Sequence, residues 1–317
     1  MLLFATILPF LTPTFTTLDY YNEFLNWTKS FNKSYDNHDD VYEAYLNFVD
    51  KSKYIDLFKQ DYPNNDLFEV QLDHNADQFY VPNPLLSDGV VPYYNYTDNL
   101  GISLPIEFDW RDKAAVSSVK NQGKCGDCYA FSALGAIESQ YLIHQGVELN
   151  LSPSQVVDCS YSEGNDGCDG GLQPDVFEYI KKYGIEDTKA YPYNAKDGVC
   201  KYNKTNVVLK IRDYKYVYPG IDKLKQNLVN NGPISISMAA SSLSFQLYKS
   251  GIYVNNNCYK NEIDHAILLV GYGSSGDIDY WIIKNSWGTG WGEDGFGRIA
   301  IDTDCGISQA GGSYPVL

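Results

Sequence analysis

Chemistry is concentrated in the stretch from Gln122 to Ser132, where a loop containing Gly123 and Gly126 delivers Cys128 to a run, 129–142, rich in Ala, Leu and Ile that reads as a helix. A thiol at that junction faces unpaired backbone N–H groups and the positive end of the helix dipole, both of which favour thiolate. The spacing of Cys125 and Cys128 alone is equally compatible with half a zinc site or a redox pair. Asp127, just before the thiol, is a good N-cap type. As a cap it would set a negative charge beside the sulfur, raising the thiol's pKa and favouring a protonated imidazole. Of the four histidines, His38, His74 and His144 read as surface or ordinary core residues, whereas His265 follows Asp264 and opens an apolar run. Asn285 lies just past Trp281, Ile282 and Ile283, at a strand end, where its side chain can accept the second N–H of an imidazole. Trp287 and Trp291 would shield such a bond from water or simply pack a core.

Positioning these groups requires a sizeable fold, and 317 residues with 44% apolar content leave room for more than one core. The formal charge of −16 argues against nucleic acid or an anionic membrane as a partner. Residues 1–103 hold 5 Lys and no Arg against 15 Asp and Glu, a separate acidic piece. Residues 2–11 form an apolar run of signal-peptide length, too short to span a bilayer, and no later run is long enough. Sequons at Asn26, Asn32, Asn95, Asn150 and Asn203 fit the same secretory route. Seven cysteines leave one over in an oxidising compartment; with Cys128 free, the other six could pair in 15 ways. A zinc site would compete for the same sulfurs.

Along the chain, Tyr20, Phe24 and Trp27, then Tyr42, Tyr45, Phe48, Val49, Ser52 and Ile55, recur at helical spacing. Prolines and glycines without a period make 81–105 a linker. Ser152 before Pro153 is an N-cap and N1 pair. Gly170 and Gly171 allow a close backbone approach, and 176–183 is helical up to Gly184. From residue 207 the pattern changes to β-branched or alternating runs at 207–217, 234–238, 266–272, 280–285 and 297–301. Helices first and strands later predict an α+β protein of two lobes, with Cys128 and His265 facing each other across a cleft.

Taken together, these stretches resemble the papain-like cysteine proteases, closest in character to cathepsin L-type endopeptidases. Residues 104–111 match the start of the mature enzymes, and Cys128 and His265 lie 137 residues apart, within the interval of roughly 130 to 150 by which that family is itself defined. The resemblance implies a signal peptide at 1–17, an inhibitory helical propeptide at 18–103 and a peptidase at 104–317. It further implies a mainly helical lobe at about 113–210 and a β-barrel-like lobe at about 211–317. Cys128 would be the nucleophile, His265 its acid–base partner, Asn285 the orienting group, and Gln122 with the Cys128 N–H the oxyanion hole. Gly170, Gly171, Asp264 and Trp287 would contact substrate. A second-subsite wall of Leu172, Gln173, Ser237, Ile263, Ala266 and Ala310 would favour a bulky apolar P2 residue.

The implied disulfides are Cys125 with Cys168, Cys159 with Cys200, and Cys258 with Cys305. The implied partners are protein and peptide substrates, the chain's own propeptide and cystatin-type inhibitors, for a monomer sent through the secretory pathway to a lysosome, an endosome or the outside. No metal or organic cofactor is required. The sequence departs from the family at Asp127, where Ser or Ala is usual, and at Tyr129, where Trp is commoner. In the propeptide, Ala44, Lys51, Lys59, Gln71, Asp73 and Asn75 replace motif residues. A catalytically silent binding or storage homologue would ordinarily have lost the cysteine, histidine or glutamine, and all three are present. An exopeptidase's occluding loop has no room in the eight residues between Cys159 and Cys168.

Overall fold

Two helices, α1 (Thr17–Ser30) and α2 (His38–Asp61), open the described part of the chain. The computed structural model describes residues 17–80, 82–83, 103–258 and 262–317; the apolar leader, nearly all of the linker and the Asn95 sequon fall outside them. Asn37 caps α2 by accepting the N–H groups of Asp39 and Asp40 at 2.9 and 3.0 Å. Where the two helices cross, Tyr20, Phe24, Trp27, Phe48 and Val49 meet as the helical period predicts, joined by Ala44 and Ala76. Phe48 lies 5.5 Å from both Phe24 and Trp27 in edge and tilted ring contacts. Tyr42 does not join them: it is 63% exposed, on the far side of α2. Lys51, a departure from the family motif, is buried and donates to the carbonyls of Asn75 and Gln78 at 3.0 and 2.7 Å, tying α2 to the turn that follows.

Next come β1 (Phe68–Val70), β2 (Phe108–Asp109), α3 (Cys128–Gln145), α4 (Pro153–Cys159), α5 (Gln173–Tyr183), and the short pair β3 (Ile185–Glu186) and β4 (Val207–Leu209). The remainder runs β5 (Asp213–Val217), α6 (Ile221–Asn231), β6 (Ile234–Met238), α7 (Leu243–Gln246), β7 (Tyr248–Tyr253), β8 (His265–Ser275), β9 (Ile278–Lys284), β10 (Phe296–Ala300), α8 (Ile307–Ala310) and β11 (Gly312–Val316). The main sheet has the order β1-β7-β10-β9-β8-β6-β11-β5, with β2 paired to β8. It is an open path among the described residues, so the expected barrel-like lobe is a sheet with two edges. The run expected at 207–217 is two strands, β4 and β5, in different sheets. The helix expected at 176–183 begins three residues earlier, at Gln173, with Pro174 in its first turn.

Strand β8 is buried on both faces. Successive side chains point to opposite sides of a strand, so Ala266, Leu268 and Val270 enter a core with Tyr129, Ala133 and Ile137 of α3. Ile267 and Leu269 enter the other, with Ile236, Phe245 and Trp281, and Tyr272 joins them because a bulge between Leu269 and Gly271 reverses the alternation. The lobes therefore share a wall. Ile55, Phe68 and Val70 of the leading segment belong to that second core too. The disulfides are Cys125–Cys168, Cys159–Cys200 and Cys258–Cys305, and Cys128 is free. A buried polar network also crosses between the lobes. Lys284 donates to Ser117 (2.9 Å), Ser117 to Glu138 of α3 (2.6 Å), and Glu138 also accepts from Lys120 and the Leu151 N–H. Burial pulls the Lys284 ammonium down to about 8, against the attraction of Glu138.

Candidate active site

Cys128 is the first residue of α3, one position earlier than the sequence pattern placed the helix start. The loop before it is held by the Cys125–Cys168 bond and by the Gly126 N–H donating to the Cys168 carbonyl at 2.9 Å. The Asp127 side chain accepts no N–H of the helix, so the expected cap is absent. Its carboxyl turns inward instead, 2.9 Å from the Tyr193 hydroxyl.

The sulfur of Cys128 is fully buried. It accepts from the backbone N–H of Ala266 at 3.4 Å, which brings the start of β8, and with it His265, to the N-terminus of α3. The His265 Nε2 lies 2.8 Å from Asn285 Oδ1, at the end of β9, and its Nδ1 has no protein partner. Asn285 Oδ1 also accepts the Ser286 N–H at 2.8 Å, which fixes the amide with its oxygen toward the ring. Trp287 lies over the imidazole, centroids 4.8 Å apart and planes 31° apart, and excludes water from that bond. Gln122 donates through Nε2 to the Cys125 carbonyl (2.8 Å) and accepts from Ser286 Oγ through Oε1 (2.6 Å). One amide hydrogen remains for a ligand.

The leading segment occupies this cleft. The Asn83 side-chain amide donates to the Gly171 carbonyl at 2.7 Å and accepts the Gly171 N–H at 3.2 Å, while the same nitrogen lies 3.8 Å from Cys128 Sγ. Its backbone N–H donates to the Asp264 carbonyl at 2.8 Å, which also accepts from the Tyr80 hydroxyl at 3.0 Å. Gly171 must be glycine here: a Cβ would lie 2.3 Å from Asn165 Oδ1 and 2.7 Å from the Tyr129 ring. Tyr80 stands edge-on to both His265 and Trp287.

Covering the site changes its charge state. Burial pushes the Cys128 thiol up to about 12, only partly offset by the Ala266 N–H and the Asn83 amide. Burial also pulls His265 down to about 4, against its bond to Asn285. The covered pair is therefore a neutral thiol and a neutral imidazole. The thiolate favoured by the helix terminus is overridden while the leading segment excludes water.

The model of the papain family cysteine protease domain matches residues 104–315. The chain belongs to the papain family of cysteine proteases. Procathepsin L of Mus musculus is 43% identical over 229 residues, covering 70% of this chain and 68% of that protein. Cysteine proteinase 3 of Dictyostelium discoideum is 36% identical over 314 residues, covering 95% and 93%. The solved structure of digestive procathepsin L 3 from the Tenebrio molitor larval midgut superposes with a TM-score of 0.84 at 30% identity, covering 94% of this chain and 99% of that one. This papain-family chain is thus a cathepsin L-like cysteine endopeptidase with its propeptide in place.

Of the residues expected at the site, Gln122, Cys128, Gly171, Asp264, His265, Ala266, Asn285 and Trp287 are brought together. Leu172 and Ile263 pack against the helical-lobe core. Gln173 is buried with its amide donating to the Ile236 carbonyl (3.1 Å) and Ser237 Oγ (2.9 Å), so its polar end is satisfied within the wall. Ala310 ends α8, which lies beside β6, the strand that carries Ser237. The Gly170 carbonyl accepts the Asp166 N–H at 2.8 Å, a turn bond rather than a ligand contact. Sequence reasoning missed Asn83, Tyr80, Ser286 and Tyr193. Asn83 and Tyr80 sit in or beside the linker, where no period marks them; the Ser286 and Tyr193 hydroxyls act on partners 164 and 66 to 71 residues away.

Proposed function

We propose that the propeptide's removal exposes an endopeptidase in which the Cys128 thiolate attacks a peptide carbonyl and His265 protonates the leaving amine. Water then hydrolyses the thioester. Asn285 orients the imidazole, and the Gln122 amide with the Cys128 N–H stabilises the tetrahedral oxyanion. The observation that carries this reading is the Asn83 amide: a planar N–H and C=O pair already occupies the Gly171 clamp, where an extended substrate backbone would lie against the sulfur. The second-subsite wall, apolar apart from the satisfied Gln173 and Ser237, favours a bulky apolar P2 residue; leaving an Arg there unpaired costs more than the about 1 to 3 kcal/mol by which such a pocket sorts size. Processing falls between Val91 and Pro105. The protein enters the secretory pathway and works as a monomer in a lysosome, an endosome or outside the cell, open to cystatin-type inhibitors. Asn26, Asn32, Asn150 and Asn203 are exposed, as glycan acceptors must be.

The test is acid activation followed by labelling with an epoxide thiol-protease inhibitor and mass mapping. Label on Cys128 of a form lacking residues 17–83 is expected. Label elsewhere, or full activity with the propeptide still covalently attached, overturns the reading. A peptide library preferring Arg over Leu and Phe at P2 overturns the pocket assignment.

A further inference from the structure

A buried acid lies directly behind the nucleophile, and the peptidase chemistry leaves it unused. Asp127 is fully buried; Oδ2 lies 2.9 Å from the Tyr193 hydroxyl and Oδ1 has no partner. That same hydroxyl lies 2.7 Å from the backbone carbonyl of Gln122. A phenol carries one proton, and a carbonyl only accepts. Both contacts are hydrogen bonds only if Tyr193 donates to Gln122 while Asp127, as a carboxylic acid, donates to Tyr193. An ionised Asp127 would draw the phenolic proton to itself. The Tyr193 and Gln122 oxygens would then lie 2.7 Å apart with no proton between them, and Oδ1 would stand bare in the interior.

We propose that Asp127 is a neutral carboxylic acid that positions the active site by donating through Tyr193 to the Gln122 backbone, and that loss of its proton reverses this chain and takes the Tyr193 bond from the Gln122 carbonyl, which then keeps only the Cys125 N–H at 3.4 Å. Burial acts in the same sense, holding Asp127 well above the ordinary carboxylate range against the opposing bond to Tyr193. The titratable groups facing it are Cys128 and Tyr129 from α3, and Tyr193 and Asp197 from the segment between β3 and β4. None of these four supplies a positive charge. Phe131 packs edge-on against the Tyr193 ring, centroids 5.2 Å apart, and fixes where its hydroxyl lies.

The inference rests on the reading of Cys128 as nucleophile and Gln122 as oxyanion donor. While neutral, Asp127 leaves the helix terminus free to support the thiolate. Once ionised, it takes the Tyr193 proton away from the Gln122 carbonyl and lets the oxyanion residue shift, so activity falls on the alkaline side. Because the native acid is raised, the stability it lends is full below the ordinary carboxylate value of about 4 and is lost as pH rises through the native value.

Asp127→Asn tests this, since its Nδ2 donates to Tyr193 at every pH. In the intact proenzyme at neutral pH, the infrared difference spectrum of wild type minus Asp127→Asn should contain the carbonyl stretch of a protonated carboxylic acid. In the acid-activated enzymes, the acid limbs of kcat/KM against pH should coincide, and the alkaline limb of Asp127→Asn should lie higher by about one pH unit. A missing band, or coincident alkaline limbs, overturns the proposal. Should Asp127→Asn fail to fold, Tyr193→Phe serves: kcat is expected to fall several-fold at unchanged KM, with the acid's band displaced, and an unmoved band overturns the proposal. Counting active sites with the epoxide inhibitor separates the two levels. No label on wild-type Cys128 sinks the catalytic reading, whereas full labelling with coincident limbs sinks only this one.

Discussion

The propeptide and the peptidase are held by different means. Within residues 17–83 the helices close over seven buried side chains, too few for an independent domain, and the rest of the grip is borrowed: Ile55, Phe68 and Val70 are members of the peptidase's own core. Strand β1 extends the enzyme's sheet at the β7 edge, and Lys249 pairs with Glu69 across it at 2.7 Å. The peptidase has two cores, three disulfides and a buried charge network. An inhibitor that folds on its enzyme and not alone can be removed by a few cuts, while the crosslinked enzyme beneath is unaffected. Covalent bonds on one side and borrowed packing on the other let latency end without loss of the enzyme.

The comparison can be tested from its strongest point downward. Cys128→Ala should lower peptide hydrolysis by on the order of 10⁴-fold or more while leaving both regions folded, checked with a fluorogenic peptide after processing in trans. Replacing Cys258 and Cys305 together by Ser opens a 47-residue loop and should cost the peptidase about 4 kcal/mol, read by denaturant unfolding of the mature enzyme. Phe48→Ala should cost about 3 to 5 kcal/mol in the propeptide alone. The proenzyme would then leak activity at neutral pH while the mature enzyme melts as wild type does; equal shifts in both forms would show that the regions are not separable.

A smaller effect is that of pH. Covering depresses His265 to about 4, so the covered form binds fewer protons than the open one. The stability of covering is complete above the ordinary imidazole value of about 6.5 and is lost as pH falls through about 4, a contribution of about 3 kcal/mol. Asp73, raised by burial, opposes this, since its share is lost as pH rises. Hydrogen-exchange protection of the propeptide, the observed rate taken relative to the intrinsic rate at each pH, should therefore fall from pH 6.5 toward 4 in a Cys128→Ala proenzyme. A flat profile would mean that His265 does not couple to release. Least of all, Asn83→Ala removes the two bonds to Gly171 and should weaken inhibition by about 1 to 3 kcal/mol, read as faster labelling of Cys128 in the uncleaved proenzyme.

The site was legible where chemistry is encoded in residue type and spacing. Cys128, His265 and Asn285 stand at the start of a helix, the start of a strand and just past the end of one, and local pattern marks each of those places. Strand β6 alternates apolar residues with Ser235 and Ser237, and its bounds match the expected run 234–238. Strands β7 and β11 were not expected, because Lys249, Ser250 and Gly251 interrupt the first and Pro315 sits in the second, where pairing with β5 holds it. The helix α6 escaped among Lys and Asn residues that give it little apolar content. Asp127 was misjudged for a different reason. Local rules offer it the helix N–H groups, yet a hydroxyl 66 residues away takes its carboxyl, and no window of sequence contains both.

Strand β8 has one more consequence. From Ala266 to Val270 its odd and even side chains answer to different lobes, so a slip of one residue would put each apolar set where the other belongs. The strand behaves as a reading frame: a single inserted or deleted residue between Ala266 and Val270 is detected twice, once by each core. His265 is the first residue of that frame. Its position at the mouth of α3 is thus set by everything behind it.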